Sequence, residues 1–306
     1  MSINTPVAAR RAAFDEPDEP VDDAGVSDDL SSEVSRETAL PRPPRTRTMV
    51  IANQKGGVGK TTTAVNLATA LALGGLKVLV IDLDPQGNAS TALGVDHSEG
   101  VQGTYEALSG EVSIADLVQR STEAPGLWVL PATIDLAGAE IGLVSVPSRE
   151  SRLLHALRDF SELHHPDYVF IDCPPSLGLL TLNALVAADE ILIPIQCEYY
   201  ALEGVTQLLR TINLVKGSMN ERLYLSTVLL TMFDSRTRLA SQVASEVRRH
   251  FPKETLPTTI PRSVRVSEAP SYGQSVINYH SASAGAQAYL AAATELAHRG
   301  AEMKEK

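Results

Sequence analysis

The residues with the clearest chemical potential form a short segment rich in glycine and lysine, residues 55–63, which reads KGGVGKTTT. Glycines let a backbone curl tightly enough to aim several N–H groups at one anion. Lys60 can reach the β- and γ-phosphate oxygens of a nucleotide, and the hydroxyl of Thr61 can bind Mg²⁺. The segment therefore predicts a phosphate-binding loop that takes ATP with Mg²⁺.

Two flanking elements must position this loop. The apolar run at 49–52 looks like a strand, and the composition of residues 64–73 suits a helix. A strand, a glycine-rich turn and a helix are the context that the motif requires, because the first helical turn adds unpaired N–H groups and the positive end of its dipole. The predicted nucleotide-binding residues of the loop are Lys55, Gly56, Gly57, Val58, Gly59, Lys60, Thr61 and Thr62.

An acidic residue ends another apolar run. Asp172 follows the run at 169–171, which is a Walker B pattern, and such an acid holds Mg²⁺ directly or through a water. Pro174 and Pro175 then set a rigid turn. Asp84 lies two residues after Asp82, at the end of the run 77–82.

The loop departs from the usual pattern G-x-x-x-x-G-K-[ST], because Gln54 stands where a glycine is expected and a second lysine, Lys55, opens the loop. K-G-G-x-G-K-[ST] is the deviant Walker A motif of the ParA/MinD group of P-loop ATPases. Further matching segments are DLDPQGN at 82–88, FIDCPPS at 170–176, IPR at 260–262 and RVSEAPS at 265–271. Over roughly residues 47–298 the chain resembles the ParA/Soj family of chromosome-partitioning ATPases within that group.

This resemblance implies roles for individual residues. Asp84 would orient the attacking water beside the γ-phosphate. Lys55 would reach across a two-fold interface to the partner's nucleotide, so that ATP holds a homodimer together. Pro261 and Ser263 would close over adenine, although relatives often have Asn at the position of Ser263. The predicted catalytic residues are thus Lys55, Lys60 and Asp84, and the predicted magnesium ligands are Thr61, Asp84 and Asp172.

The charge distribution bears on a nucleic-acid partner. The net charge of −11 by itself argues against DNA, but residues 235–265 hold seven Arg or Lys and two Glu, a local net of +5. The resemblance implies that Arg236 and Arg265 contact double-stranded DNA without sequence preference. Charge density adds three further candidates, Arg238, Arg248 and Arg249. The resemblance also implies a ParB-like centromere-binding protein as the partner that stimulates hydrolysis.

The alternation of apolar runs with helical segments predicts an α/β fold, a doubly wound and mostly parallel sheet flanked by helices of the P-loop NTPase type. Ligands bind at the carboxyl ends of the strands in such sheets, and the three motifs at 53–63, 82–88 and 171–176 all follow predicted strand ends. Residues 104–121 are predicted to be helical, and residues 258–260 to form an edge strand.

The N-terminal segment differs from the rest of the chain. Residues 1–47 hold ten acids and six bases, with several prolines and few large apolar residues. Such a segment buries too little surface to offset its ordering entropy. We expect residues 1–46 to be a disordered acidic tail, either solvated or used to bind a partner, and residues 47–306 to be the ATPase domain.

Three other functions stay open at this stage. A secretory start and an apolar run of about 20 residues are both absent from the sequence, so we expect a cytoplasmic, nucleoid-associated protein without a membrane partner. A MinD-like membrane-associated regulator of the division site would need an amphipathic C-terminus, and residues 297–306 have no apolar stripe. A nitrogenase-reductase-like electron carrier would need exposed cysteines, whereas Cys173 and Cys197 each end an apolar run. A metabolic kinase or ligase is the third alternative.

Overall fold

The computed structural model describes residues 39–199 and 201–303. Within these residues eight strands form one sheet, in the order β3-β4-β2-β5-β1-β6-β7-β8. The strands are β1 (Arg47–Ile51), β2 (Val78–Asp82), β3 (Gln119–Arg120), β4 (Leu127–Leu130), β5 (Tyr168–Asp172), β6 (Glu190–Gln196), β7 (Tyr224–Phe233) and β8 (Thr255–Pro261). The short β3 pairs antiparallel with β4, whereas the other neighbours are parallel. The predicted fold class is therefore confirmed, including the edge strand near residue 258.

Helices cover both faces of the sheet. In the described residues they are α1 (Lys60–Leu73), α2 (Asn88–Ala92), α3 (Thr104–Ser109), α4 (Ile114–Leu117), α5 (Ala139–Gly142), α6 (Arg152–His164), α7 (Leu179–Ala187), α8 (Ala201–Ser218), α9 (Arg238–His250), α10 (Val264–Glu268), α11 (Val276–Tyr279) and α12 (Ala284–Ala301). In this part of the chain, none of the helices combines the length and hydropathy needed to cross a bilayer.

Alternating side chains of each central strand face two separate apolar cores. Val50 of β1 packs with α3 to α9 on one face, whereas Met49 and Ile51 pack with α1, α2, α11 and α12 on the other. All five residues of β1 are buried. Burial on both faces explains why the central strands read as continuous apolar runs in the sequence.

The strand order brings the predicted motifs together. β1 lies between β5 and β6 in the sheet. From β1 the chain continues to β2, on the β5 side of β1, and it later passes from β5 to β6, on the opposite side of β1. The carboxyl ends of β1, β2 and β5 therefore meet at one edge of the sheet. There, Asp82 of β2 lies directly beside Asp172 of β5.

The prediction of helix across residues 104–121 is only partly right. Two short helices, α3 and α4, occupy this stretch and are followed by β3. Gly110 ends α3 with a φ of 81°, a left-handed conformation that stops the helix. A local turn and pairing with β4 therefore override the helical composition of the stretch.

The end of the predicted tail lies against the domain. The Leu40 N–H donates to the Gly74 carbonyl at 2.9 Å, and the Leu40 side chain packs on the core beneath α1. The Thr46 hydroxyl donates to the Pro166 carbonyl at 2.6 Å. Residues 40–46 are thus held by the fold, while the first 38 residues of the predicted tail lie outside the described residues.

A buried ion pair ties the sheet to the last helix. Arg47 of β1 is 4% exposed and donates to both carboxylate oxygens of Glu190 on β6, at 2.8 and 2.5 Å. The same guanidinium donates to the carbonyl of Leu296 on α12 at 3.0 Å. Both charges are fully paired, and loss of one partner would leave the other buried and uncompensated.

We therefore expect Arg47→Met to lower the free energy of unfolding by about 3–5 kcal/mol, measured by urea denaturation. The double variant Arg47→Met with Glu190→Leu should recover most of this loss, because no unpaired charge remains. Equal destabilisation in the single and double variants would contradict an origin in the unpaired carboxylate.

Candidate nucleotide-binding site

The glycine-rich loop runs from the end of β1 to the first residue of α1. Gly57 and Gly59 have φ values of 74° and 89°, in the left-handed region that strains other residues. Gly59 occupies the N-cap position of α1, and the first turn of α1 holds no acidic side chain. Lys60 is 7% exposed. The helix therefore presents its N–H groups and its positive dipole end to the loop without an internal counter-charge, as an anion site requires.

Two distant residues hold the loop in place. Asn53 donates to the Pro194 carbonyl on β6 at 2.8 Å and accepts from the Lys55 N–H at 3.0 Å. On the other side, the Thr231 hydroxyl of β7 donates to the Val58 carbonyl at 2.9 Å. Sequence reasoning assigned no role to Asn53 or Thr231, because their contacts join segments up to 173 residues apart.

Asp82 and Asp172 lie side by side, and both are fully buried. Asp82 accepts hydrogen bonds from the N–H and hydroxyl of Ser90, at 2.8 and 2.7 Å, and from the Asp84 N–H at 3.1 Å. Neither carboxylate oxygen of Asp172 has a hydrogen-bond partner. Burial and then the negative charge of Asp82 raise the pKa of Asp172, although Thr61 and Lys60 nearby favour its charged form.

This orphaned carboxylate fits a magnesium site. Oxygen ligands suit Mg²⁺, and an acid buried beside Thr61 and Lys60 lacks the partner that a cation would provide. Residues 39–199 and 201–303 contain no cluster of three or more His, Cys, Asp or Glu side chains that could hold a metal alone. That agrees with a Mg²⁺ site completed by phosphate oxygens and water, because Mg²⁺ usually keeps several waters.

Asp84 lies on a tight turn at the mouth of the site and is half-buried. Its peptide N–H is fixed by Asp82, its side chain accepts from the Gln86 N–H at 3.0 Å, and its carbonyl accepts from the Gly87 N–H at 2.9 Å. The structural carboxylate of Asp82 therefore sets the position of the predicted catalytic carboxylate of Asp84.

Two clefts flank the first turn of α1. One, of about 100 Å³, contains both residues predicted to cover adenine, and it is lined by Gly59, Thr62, Thr231, Met232, Pro261 and Ser263 among others. Met232 has a φ of 50°, a strained backbone that such sites often carry. The other cleft, of about 260 Å³, lies beside Thr61, Asn66 and Gln274. A larger cavity of about 420 Å³ lies next to α6 and shares no lining residue with the loop.

Lys55 lies at the rim of the site. Its ammonium is 3.5 Å from the carboxylate of Glu198, which also accepts from Arg262 at 2.8 Å. The side chains of Lys55 and Glu198 are 41% and 43% exposed. Sequence reasoning missed Glu198, although its position just beyond β6 is a strand-end signal of the same kind as the others.

The five predicted DNA-contacting arginines are all exposed, but they are not all neighbours. Arg236 follows β7 and forms a bidentate pair with Asp234, at 2.9 and 2.8 Å, which lowers the pKa of Asp234 to about 2. Arg265 follows β8 and pairs with Glu268 at 2.9 Å. Both lie at the carboxyl edge of the sheet with Arg238, the first residue of α9. The remaining pair, Arg248 and Arg249, lies in the last turn of α9.

Comparison with known proteins places these features in a family. A family model described as "AAA domain" matches residues 46–225. The chromosome partitioning protein ParA of Caulobacter vibrioides is 51% identical over 260 residues, which cover 85% of this chain and 97% of that protein. The sporulation initiation inhibitor protein Soj of Bacillus subtilis is 51% identical over 252 residues, which cover 82% and 98%.

A solved structure gives the same picture at the level of the fold. The Mycobacterium smegmatis protein described as cobyrinic acid a,c-diamide synthase with bound ADP and magnesium has a TM-score of 0.71 and 40% identity. The match covers 82% of this chain and 94% of that one.

The parallel sheet, the loop with its second lysine and the paired strand-end acids define a P-loop ATPase of the deviant Walker A class. The identity over nearly the full length of the curated relatives is more specific. The chain belongs to the ParA/Soj family of chromosome-partitioning proteins.

Replacement by Asn is expected to change the stability of the fold in opposite directions at the two buried acids. Asp172→Asn removes a carboxyl group whose ionised form burial disfavours, so the unfolding free energy without Mg²⁺ should rise by roughly 1–2 kcal/mol at neutral pH. A carboxyl group whose pKa is higher in the folded than in the unfolded state stabilises the fold at pH values below the ordinary pKa of Asp. This stabilisation is lost as the pH rises through the higher pKa. The variant should therefore lose that pH dependence, and it should also lose the Mg²⁺-dependent part of ATP affinity, measured by calorimetry.

Asp82→Asn is the matched control for this prediction. It should destabilise the chain, because an amide nitrogen would face the donors of Ser90 or Asp84. If Asp172→Asn destabilised the metal-free chain as much as Asp82→Asn, the assignment of separate structural and metal-binding roles would be wrong.

Proposed function

We propose that this chromosome-partitioning ATPase forms an ATP-bound homodimer that binds double-stranded DNA non-specifically. A ParB-like centromere-binding protein would then release the dimer by stimulating hydrolysis. One observation above all supports the ATPase function. The buried carboxylate of Asp172, which lacks a hydrogen bond of ordinary geometry, lies beside a glycine-rich loop that ends at a helix N-terminus. DNA binding would place the protein on the nucleoid.

The loop residues divide the work on the nucleotide. The N–H groups of residues 56–62 bind phosphate oxygens, and Lys60 neutralises charge on the β- and γ-phosphates. Thr61 and Asp172, with Asp84 nearby, would hold Mg²⁺, which supplies further positive charge to the transferring phosphoryl group. The Asp84 carboxylate orients the attacking water. Pro261 and Ser263 line the cleft that would receive the adenine.

The edge of the sheet that carries the site has features suited to a second copy of the chain. Ile134 and Ile141, in the segment after β4, are 67% and 82% exposed. Leu177, after β5, is 42% exposed. Large apolar side chains gathered around a catalytic edge are typical of an interface. Lys55 lies at the same edge, where its half-exposed ammonium could reach a partner's phosphates.

We expect Lys55 to act on the partner's nucleotide. Lys55→Ala and Asp84→Ala should each hydrolyse ATP poorly, for different reasons. In a mixed dimer, the Asp84→Ala subunit supplies Lys55 to the other active site, which retains its own Asp84. An equimolar mixture should therefore regain about a quarter to a half of parental turnover, measured as phosphate release.

Each variant alone, over the same concentration range, is the control. A mixture that shows only the average of the two separate activities would rule out action across the interface.

The arginines at the carboxyl edge support DNA binding by this dimer. Arg236 and Arg265 are exposed, and each forms an ion pair with a neighbouring carboxylate. Phosphate contacts carry no base information, so such a surface should bind any sequence. A dimer doubles the number of contacts and so binds far more tightly than one subunit. ATP-driven dimerisation would then act as the DNA switch.

We expect Arg265→Glu to weaken binding to all DNA sequences alike while it leaves ATP-dependent dimerisation in place. For about 4–6 neutralised phosphates, log K should fall with log salt at a slope of about −4 to −5 in the parent, and the variant should show a shallower slope. Arg158→Glu on α6 is the charge-matched control, since Arg158 is also exposed but lies on another helix. Equal losses in both variants, or equal binding with ADP and ATP, would remove DNA from the proposal.

The alternatives are less well supported. A membrane-targeting C-terminal helix needs a free apolar face, whereas α12 buries Tyr289 and Leu296 in the core against α1 and β8. Cys173 and Cys197 are 1% and 4% exposed, so neither thiol could share a cluster with another subunit. The name of the diamide synthase belongs to a protein with lower identity to this chain than the two partition proteins.

A further inference from the structure

The solvent face of α9 carries basic residues near both of its ends. Ala240, Ala244 and Val247 pack into the core, and the opposite face presents Arg238 and Arg249. These two arginines are eleven residues apart, which corresponds to about 16 Å along the helix. The α9 basic strip consists of exposed residues that begin before α9 and end after it: Arg236, Arg238, Arg248, Arg249 and Lys253.

Acidic groups border this strip at both ends, where Asp234 pairs with Arg236 and Glu254 follows Lys253. Between Arg238 and Arg249 the exposed positions are Leu239, Ser241, Gln242, Ser245 and Arg248, and none is acidic. Glu246 lies at the flank and pairs with Arg249 at 2.5 Å. The strip therefore consists of two basic clusters about 16 Å apart along the helix, which a linear polyanion could bridge.

The same chain carries such a polyanion. Residues 15–37 contain ten Asp or Glu and one Arg, a net charge of −9 over 23 residues. This segment lies outside the described residues. Its composition is the strongest charge asymmetry in the sequence, and neither the nucleotide site nor the proposed dimer makes use of it.

The acidic segment joins the domain on the face of the sheet opposite α9, so it must pass around the sheet to reach the strip. The chain joins the domain at Leu40, beside Gly74 at the end of α1 and close to the amino end of β5. β5 and β8 are four strand spacings apart, about 19 Å, and the last turn of α9 leads into the amino end of β8. A stretch of 23 residues can span at most about 76 Å. It can therefore reach the entire strip.

We propose that residues 15–37 bind the α9 basic strip of their own chain and compete there with DNA phosphates. This inference rests on the proposed DNA-binding function. A short tether gives an effective concentration in the millimolar range, so weak contacts between unlike charges suffice. The contacts are exposed and hence screened by salt. The tail would thus control the DNA affinity of the dimer. DNA would displace it when the strips of both subunits contact DNA phosphates together.

The direct test is a zero-length carbodiimide cross-link in the full-length chain with ATP, mapped by mass spectrometry. Lys253 is the only lysine of the strip, and amide bonds from it to carboxylates of residues 15–37 are expected. Saturating double-stranded DNA should reduce these cross-links at least fivefold. Absence of these cross-links, or cross-links that DNA leaves unchanged, would overturn the proposal.

The functional test compares two full-length variants with the parent. One converts the ten acids of residues 15–37 to Asn or Gln, and the matched control keeps all ten charges but shuffles their order. At about 0.05 M salt the neutral variant should bind DNA about tenfold more tightly than the parent, and the gap should close near 0.5 M. The shuffled variant should bind like the parent. Equal affinity of the neutral variant and the parent would overturn the proposal.

The two proposals fail in different ways. If DNA binding by the parent depends on Arg265 but the tail variants bind DNA as the parent does, only the proposed tail contact is wrong. If neither the parent nor the neutral variant binds DNA, the DNA-binding function itself is wrong. A tighter neutral variant without cross-links to Lys253 would mean general repulsion between tail and DNA, which also overturns docking on the strip.

Discussion

The site depends on two carboxylates buried side by side at the ends of β2 and β5. Neighbouring buried negative charges oppose folding unless each finds compensation. Asp82 obtains it inside the protein, from Ser90 and the Asp84 peptide, and in return fixes the turn that carries Asp84. Asp172 has no hydrogen bond of ordinary geometry and only the nearby Thr61 and Lys60 to favour its charged form. The fold thus tolerates an unfavourable charge at the one position where a magnesium nucleotide would neutralise it.

The surroundings of these acids show how a tight loop is kept ready for phosphate. Asn53 and Thr231 anchor the loop to β6 and β7, so its N–H groups are ordered without a ligand. The left-handed backbone of Met232 lies in the same region. Unpaired charge lies at the carboxyl edge of the sheet, while the buried Arg47–Glu190 pair stabilises the sheet and α12. An unfavourable arrangement at the site, offset by stabilising contacts elsewhere, is expected where function requires locally unfavourable structure.

The electrostatics of this chain are local rather than global. A net charge of −11 would repel DNA if it were spread evenly. Instead ten acids cluster within residues 15–37, and seven Arg or Lys lie within residues 235–265. Within a Debye length of about 8–10 Å, a phosphate responds to the arginines nearest to it and not to the total charge. The same separation allows the acidic segment and the basic residues around α9 to attract each other.

Much of the chemistry could be predicted from the sequence, because the phosphate loop, the apolar strands and the strand-end acids are contiguous patterns. Lys60, Thr61 and Asp172 needed only their neighbours to be identified as candidates. Other features depended on strand order, which no local pattern encodes. Tertiary structure alone placed Asp82 beside Asp172 and left one of them unpartnered. It also brought Thr231 to Val58 across 173 residues.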